Sequence, residues 1–409
     1  MLSRFDEWVL KKVHDAAGNP PLRLALANGP EVRPQGRALG SIVFQDRWVV
    51  ARLVVDPDIG FGEAYAENKL RVEGDLVAIL TAADKSILER GKRNWFPSPA
   101  DLWLRLTQQN TRRGSRHNIH RHYDIGNDFY KLWLDEQLVY TCAYFPSPES
   151  GLEEAQLAKM DHVCRKVRLQ PGERVVEAGC GWGALALHMA RYYGVKVKAF
   201  NISREQIAYA RWRAAKEGLD DRVEFIQDDY RNISGGFDVF MSVGMLEHVG
   251  KSHYSAFGKT IQRAIGDRGR GLLHFIGRNQ PRPLNAWIRK RIFPGGYTPS
   301  LREVIQILES PNFSVLDVEN LRMHYAHTLE HWLERFENSV DEVRARFDER
   351  FVRMWRLYLA GSAAAFRAGS MQLFQVVFAG SKCAALPWTR AYLYEPQVEE
   401  DQSSMPAFG

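Results

Sequence analysis

Long apolar runs are missing from this sequence. No stretch of its 409 residues approaches the roughly 18 consecutive apolar residues of a membrane-crossing helix. The opening Met1-Leu-Ser-Arg-Phe-Asp-Glu-Trp8 lacks the apolar core of a secretory signal. If such a chain handles a lipid, it must visit the membrane surface rather than live inside it. Cysteine is scarce: Cys142, Cys164, Cys180 and Cys383 stand apart, with no Cys-x-x-Cys pair and no His/Cys cluster at metal spacing. Neither a disulfide framework nor a metal is therefore expected, and a reducing cytoplasm is the expected compartment. A strong charge bias is absent too. The net charge of +6, from 55 Lys+Arg against 49 Asp+Glu, does not demand a polyanion, although it suits an anionic membrane surface. No nucleic-acid recognition motif or internal repeat occurs, and no nucleic-acid partner is expected.

What is present reads as two folded units. The first hundred residues mix short strand-like and helical stretches: residues 41–44 and 48–55 read as strands, with a turn at 56–62, giving a small α+β domain over residues 1–106. A polar, basic linker at 107–116 follows, and a catalytic unit spans 117–395, leaving 396–409 as a flexible tail. In the second unit, strands at 174–178, 195–200, 223–227, 237–243 and 271–276 alternate with helical stretches such as 184–193 and 204–217. That alternation predicts an α/β fold with a doubly wound parallel sheet. Beyond residue 300 the pattern turns helical and amphipathic through 329–366, then closes on an apolar strand from Gln372.

The segment Val175-Val-Glu-Ala-Gly-Cys-Gly-Trp-Gly183 is a buried strand running into glycines at alternate positions and then a helix. Such glycines let a ligand lie against bare main chain beyond the strand's carboxyl end. The spacing differs from the dinucleotide Gly-x-Gly-x-x-Gly and lacks the Gly-Lys-Ser/Thr of a phosphate loop. Taken alone it is weak evidence, and could serve a nucleotide, a flavin or only tight packing, with a ligand the favoured reading.

Further motifs narrow the choice. Arg121-His-Tyr-Asp-Ile-Gly-Asn-Asp-Phe-Tyr130, Val139-Tyr-Thr-Cys-Ala-Tyr-Phe145, the glycine motif, Gly244-Met-Leu-Glu-His-Val-Gly250 and Leu272-Leu-His-Phe-Ile-Gly277 follow one another in order. Together they resemble the cyclopropane-fatty-acyl-phospholipid synthases and their mycolic-acid relatives, over roughly residues 117–380. Gly60-Phe-Gly-Glu-Ala-Tyr65 extends the likeness loosely into the first domain and favours the phospholipid-acting branch. The resemblance implies a Rossmann-like class I methyltransferase with a helical insertion forming a lipid channel. It implies S-adenosylmethionine as methyl donor, contacted by Tyr123, Tyr140, Thr141, Glu177, Gly179, Gly181, Gly183, Asn201, Ser203, Gln206, Tyr230 and Arg231. It also implies a bicarbonate ion at Cys142, Glu247, His274, Ile276 and Tyr325, the catalytic set. Methyltransferases of this fold commonly carry an acid after the second strand for the ribose, whereas here the chain reads Phe200-Asn-Ile-Ser-Arg-Glu-Gln206.

The implied reaction adds a one-carbon unit to the cis double bond of an unsaturated phospholipid. An alkene is a weak nucleophile, so the methyl donor must be strongly electrophilic and held in line. The cation formed on the acyl chain calls for a dry, aromatic-lined site, and ring closure needs an oriented base. Each residue also has a plainer reading: Cys142 as a small buried hydrophobe, His274 as a satisfied core histidine, Tyr325 as packing. The same fold could instead make a methyl- or methylene-branched chain, methylate a small amine, or persist as an inactive lipid-binding protein. Peripheral attachment to the inner face of the membrane is expected, through residues 90–116, with seven basic residues and Trp95, Phe96 and Trp103, or through Asn285-Ala-Trp-Ile-Arg-Lys-Arg-Ile-Phe293. A homodimer is the expected assembly.

Overall fold

The computed structural model describes residues 2–90 and 125–394. The linker, the basic stretch after Arg90, Tyr123 and the tail lie outside the described residues. The amino-terminal region builds a four-stranded sheet from β1 (Leu22–Leu26), β2 (Glu31–Val32), β3 (Gly40–Phe44) and β4 (Leu70–Glu73), in the order β2-β1-β3-β4. Only the first strand expected here, at residues 41–44, is a strand. Residues 48–55 belong to a helix, Arg47–Val55, and the supposed turn after it is a second helix, Pro57–Ala66. The Asp46 carboxylate accepts from the Trp48 and Val49 N–H groups at 2.8 and 3.1 Å, and Asp56 accepts from Ile59 at 3.1 Å with Pro57 opening the next helix. Two N-caps and a proline at the first helical position override the β-branched composition.

The second sheet has seven strands: β5 (Arg174–Ala178), β6 (Lys196–Asn201), β7 (Val223–Gln227), β8 (Val239–Val243), β9 (Arg270–Gly277), β10 (Phe313–Asn320) and β11 (Gln372–Gly380). Their order is β10-β11-β9-β8-β5-β6-β7, with β5 to β9 parallel and β11 antiparallel to both β9 and β10. The sheet is thus a doubly wound α/β sheet, mixed rather than parallel throughout. β10 falls where the sequence reads as helical, because a half-exposed edge strand carries no continuous apolar run. β11 is buried along its whole length and reads plainly from sequence.

One hydrophobic cluster joins the two sheets, running from Leu10, Leu24 and Phe44 through Trp287 to Trp332, Trp355 and Leu373. The amphipathic stretch after residue 320 resolves into helices Arg322–Asn338, Val340–Arg346 and Glu349–Ala368, and the last packs against both Pro57–Ala66 and Leu76–Glu89. Segment 285–293, expected as a docking surface, is instead part of this joint. Trp287 is 3% exposed and Ile292 1%, while Lys290 and Arg291 bond the buried Glu63 carboxylate at 3.1 and 2.7 Å. Trp287 packs on Gly62 of helix Pro57–Ala66, Phe293 on His248 and Tyr358, and Lys290 and Arg291 are held by Glu63, which leaves little to insert into a bilayer. No helix among the described residues is long and apolar enough to cross a membrane.

Candidate active site

β5 has β6 on one side and β8 on the other, so the chain's direction of winding reverses there and a crevice opens beyond the strand ends. The glycine turn sits at that point. Gly181 (φ +54°) and Gly183 (φ +87°) adopt backbone that side chains resist, but their surroundings differ. A Cβ on Gly183 would lie 2.6 Å from the Phe225 ring, whereas one on Gly181 would enter open space. Gly183 is required by packing, and Gly181 leaves bare backbone at the mouth of the crevice.

The residues expected after β6 form a tight local network. Asn201 donates from Nδ2 to the Gly181 carbonyl at 3.3 Å and to Gln206 Oε1 at 2.8 Å, and its own Oδ1 accepts from the Ser203 N–H at 3.2 Å. The Ser203 hydroxyl caps helix Arg204–Glu217. Tyr230 and Arg231 follow β7: the Arg231 guanidinium bonds Asp229 at 2.9 Å and lies over the Tyr230 ring. Glu177 is buried within β5, one of its oxygens finds no hydrogen-bond partner among the described residues, and burial pushes its pKa up to about 8 against the pull of Lys159.

The second expected set converges on a single cavity. Cys142, Glu247, His274, Ile276 and Tyr325 all line a cavity of ≈ 1040 Å³, where Tyr140 and Thr141 of the first set join them. Glu247, in the short turn after β8, accepts the Ile276 N–H on Oε1 at 2.6 Å, while its buried Oε2 has no partner among the described residues. Burial pushes its pKa up to about 7, opposed by that N–H. His274, near the end of β9, is buried and held neutral: burial lowers its pKa well below the usual value, and Lys159 and Lys166 add to this. Burial pushes the Cys142 pKa far up, which disfavours the thiolate that a nucleophile needs. Its Sγ–H points to the Ala143 carbonyl at 3.1 Å. Tyr140 shares a 2.8 Å hydrogen bond with Tyr358, and the Tyr325 ring lies 4.7 Å from that of Phe366. The remaining walls are mostly apolar and reach Leu24, Ile42 and Phe44 of the first sheet.

The profile of the family described as mycolic acid cyclopropane synthetase matches residues 109–376. The chain belongs to this family. It is 35% identical over 385 residues to a "Probable fatty acid methyltransferase" of Pseudomonas putida, covering 91% of this chain and 96% of that protein. It is 38% identical over 334 residues to the cyclopropane-fatty-acyl-phospholipid synthase of Escherichia coli K12, covering 80% and 84%. Among solved structures, the mycolic acid cyclopropane synthase CmaA1 complexed with SAH and CTAB superposes with a TM-score of 0.61 at 31% identity, covering 64% of this chain and 97% of that one.

In this family member the layer beneath the site escaped the sequence reading. Helix Leu152–Lys166 pins the Tyr140–Thr141 backbone from below: Gln156 donates to the Val139 and Thr141 carbonyls at 3.3 and 2.9 Å, and the Lys159 ammonium donates to Thr141 Oγ1 at 3.0 Å. Lys159 is fully buried; burial lowers its pKa to about 8, and Asp135 opposes that shift. Asp135, also buried, accepts the Gln137 and Val139 N–H groups at 2.9 and 2.8 Å. Trp182 of the glycine motif donates to Asn127 at 2.7 Å, tying the first motif to the third. A helical face carrying Gln156 and Lys159 inward was the available signal, but glutamine and lysine on a helix ordinarily read as solvated. Replacing Lys159 with Met is expected to cost about 1–3 kcal/mol of stability, because it strips Thr141 of a buried hydrogen-bond donor and Asp135 of a nearby positive charge; urea unfolding measures it.

Proposed function

We propose that this chain is a cyclopropane-fatty-acyl-phospholipid synthase, using S-adenosylmethionine and an unsaturated phospholipid, with bicarbonate as proton acceptor. The observation that carries the reading is the cavity itself. Its lining brings Cys142, Glu247, His274 and Tyr325 together with apolar side chains that reach the amino-terminal sheet. That shape suits an alkyl tail whose middle must reach a polar reaction centre.

The residues present fit both small molecules. Gly181 offers bare backbone with open space, beside the clamped Asn201. When bound there, S-adenosylmethionine supplies an electrophilic methyl group. Glu247 Oε2, buried and without a partner among the described residues, suits a small polar guest. When bound, bicarbonate supplies a compact base for the proton lost as the ring closes. His274 and Tyr325 would donate to such an anion, and Glu247, neutral while it holds its proton, would orient it through Oε2. Aromatic faces of Tyr140, Tyr325, Trp287 and Phe366 line the cavity, favouring positive charge on the acyl chain, and the apolar walls exclude the water that would capture it.

A second reading, a methyl- or methylene-branched product, draws support from the Pseudomonas putida relative, which matches over nearly its whole length. One experiment separates them: incubate the protein with methyl-labelled S-adenosylmethionine and vesicles of unsaturated phospholipid, then identify the acyl products. A cyclopropane and a methylene branch share a composition, so the proton NMR of the added carbon decides after mass spectrometry locates it. Label in a ring supports the first reading, label in a branch the second, and unlabelled lipid overturns both.

Membrane contact, with segment 285–293 set aside, is best supported at the cavity mouth. Lys12, Ala16 and Val54 are exposed and line the cavity. Beside them Phe5 (60% exposed) stacks on Trp8 (55%), and Trp48 (74%) and Val55 (79%) stand out from the neighbouring helix. Much of the nearby charge is paired, Lys11 with Glu7 and Arg47 with Asp6, so apolar insertion rather than net charge carries this docking. Replacing Trp8 and Trp48 together with Ala is expected to weaken binding to phospholipid vesicles at least about tenfold, roughly 1.4 kcal/mol. Raised salt is expected to weaken it less; co-sedimentation measures both.

A further inference from the structure

We infer that Gln375 is a positioning residue that fixes the ring proton of His274 on Nε2, making His274 a hydrogen-bond donor to an anion in the cavity. This rests on the reading of the site as an anion-assisted synthase. Gln375 lies on β11 directly opposite His274 on β9, the two being Cα partners in an antiparallel pair. Both are buried, Gln375 at 0% and His274 at 2% exposure. The amide nitrogen of Gln375 is 3.1 Å from His274 Nδ1.

The neighbours on β11 explain why this contact is informative. Leu373, Phe374, Val376, Val377 and Phe378 are all buried apolar residues, and a glutamine among them pays a desolvation cost that a leucine would avoid. Its hydrogen bond to His274 offsets that cost, while its Oε1 has no partner among the described residues. A neutral imidazole has one donor and one acceptor nitrogen. An amide N–H directed at Nδ1 makes that atom the acceptor, which places the proton on Nε2. Were the amide reversed, its oxygen would draw the proton to Nδ1, and Nε2 would turn a lone pair toward an anion it ought to hold. The β9–β11 register brings Gln375 to His274, and the orientation of its amide decides whether His274 attracts or repels the base.

The test has one readout independent of turnover. With ¹⁵N-labelled histidine, the ring signals of His274, assigned by their disappearance in His274→Gln, should show an unprotonated Nδ1 and a protonated Nε2 in the full-length protein. A protonated Nδ1 would overturn the assignment even if the enzyme makes cyclopropanes. A correct tautomer in a protein that modifies no lipid would leave the contact intact and sink the function instead. Gln375→Leu is expected to lower kcat about 10- to 100-fold, the scale for side chains that orient a functional histidine, with KM for S-adenosylmethionine and lipid within about twofold. Should Gln375→Leu misfold, Gln375→Met keeps the volume without the donor. Unchanged kcat and unchanged ring signals in a folded variant would reduce Gln375 to a packing residue.

Discussion

Replacing Glu247 with Ala is expected to abolish labelled acyl product, a loss of about 10²–10⁴-fold, while leaving binding of S-adenosylmethionine within a few-fold of the native protein. The side chain does two things at once: Oε1 takes up the Ile276 N–H at 2.6 Å, and Oε2 faces a buried space without a protein partner. Alanine would orphan the first group and empty the second position. Calorimetric titration with the cofactor and product analysis by mass spectrometry measure the two halves separately, and undiminished turnover would remove Glu247 from the mechanism. A pH signature accompanies this. With its pKa raised to about 7, Glu247 is neutral below that value and ionised above it, and an ionised carboxylate repels bicarbonate. The kcat/KM for lipid should therefore fall as pH rises through about 7, and Glu247→Gln should flatten that limb. Stability follows the same sign. The folded state holds a proton that the unfolded state releases near 4.5, so this group's contribution to stability declines as pH rises from about 4.5 to 7.

Gly181→Val should give a folded protein that no longer binds the cofactor, with affinity lowered at least about 100-fold. A Cβ at this position meets no atom within 4 Å, so the main cost to folding comes from the left-handed backbone (φ +54°), about 1–2 kcal/mol. Its effect on a ligand lying against that backbone is direct. Gly183→Val is the control with the opposite profile: a side chain there collides with Phe225 and Ala210, so the thermal midpoint should drop steeply. Thermal unfolding with and without S-adenosylmethionine distinguishes them, since a ligand that binds only the folded state raises the midpoint. A Gly181→Val protein that is still stabilised by cofactor would place the ligand elsewhere.

The two sheets were legible to different degrees. In the sheet of β5 to β11 the central strands β5, β8, β9 and β11 are buried on both faces, and six of the seven strands, all but β10, could be located from apolar runs. β10 could not, because at the edge only part of each side chain is covered and the alternation is weak. In the amino-terminal domain, Trp48-Val-Val-Ala-Arg-Leu-Val-Val55 carries strand-forming residues, and composition alone points the wrong way. Val49, Val50 and Leu53 nevertheless turn inward together while Trp48, Arg52 and Val55 turn out, which is a helical period. Segment 285–293 failed differently: aromatic and basic residues in alternation suit a membrane and an intramolecular joint equally well, and only the position of Glu63, more than two hundred residues away, separates the two.

Local sequence determined the glycine turn, the strand ends that carry Asn201, Glu247 and His274, and the family, because each depends on residues adjacent in the chain. Only the tertiary structure decided that Glu247 closes on the Ile276 N–H, that Gln156 and Lys159 hold the Val139 and Thr141 positions from beneath, that Gln375 faces His274, and that one cavity reaches both sheets. Those contacts join residues far apart in sequence, and their energies come from burial and strand register, which no run of neighbouring residues specifies.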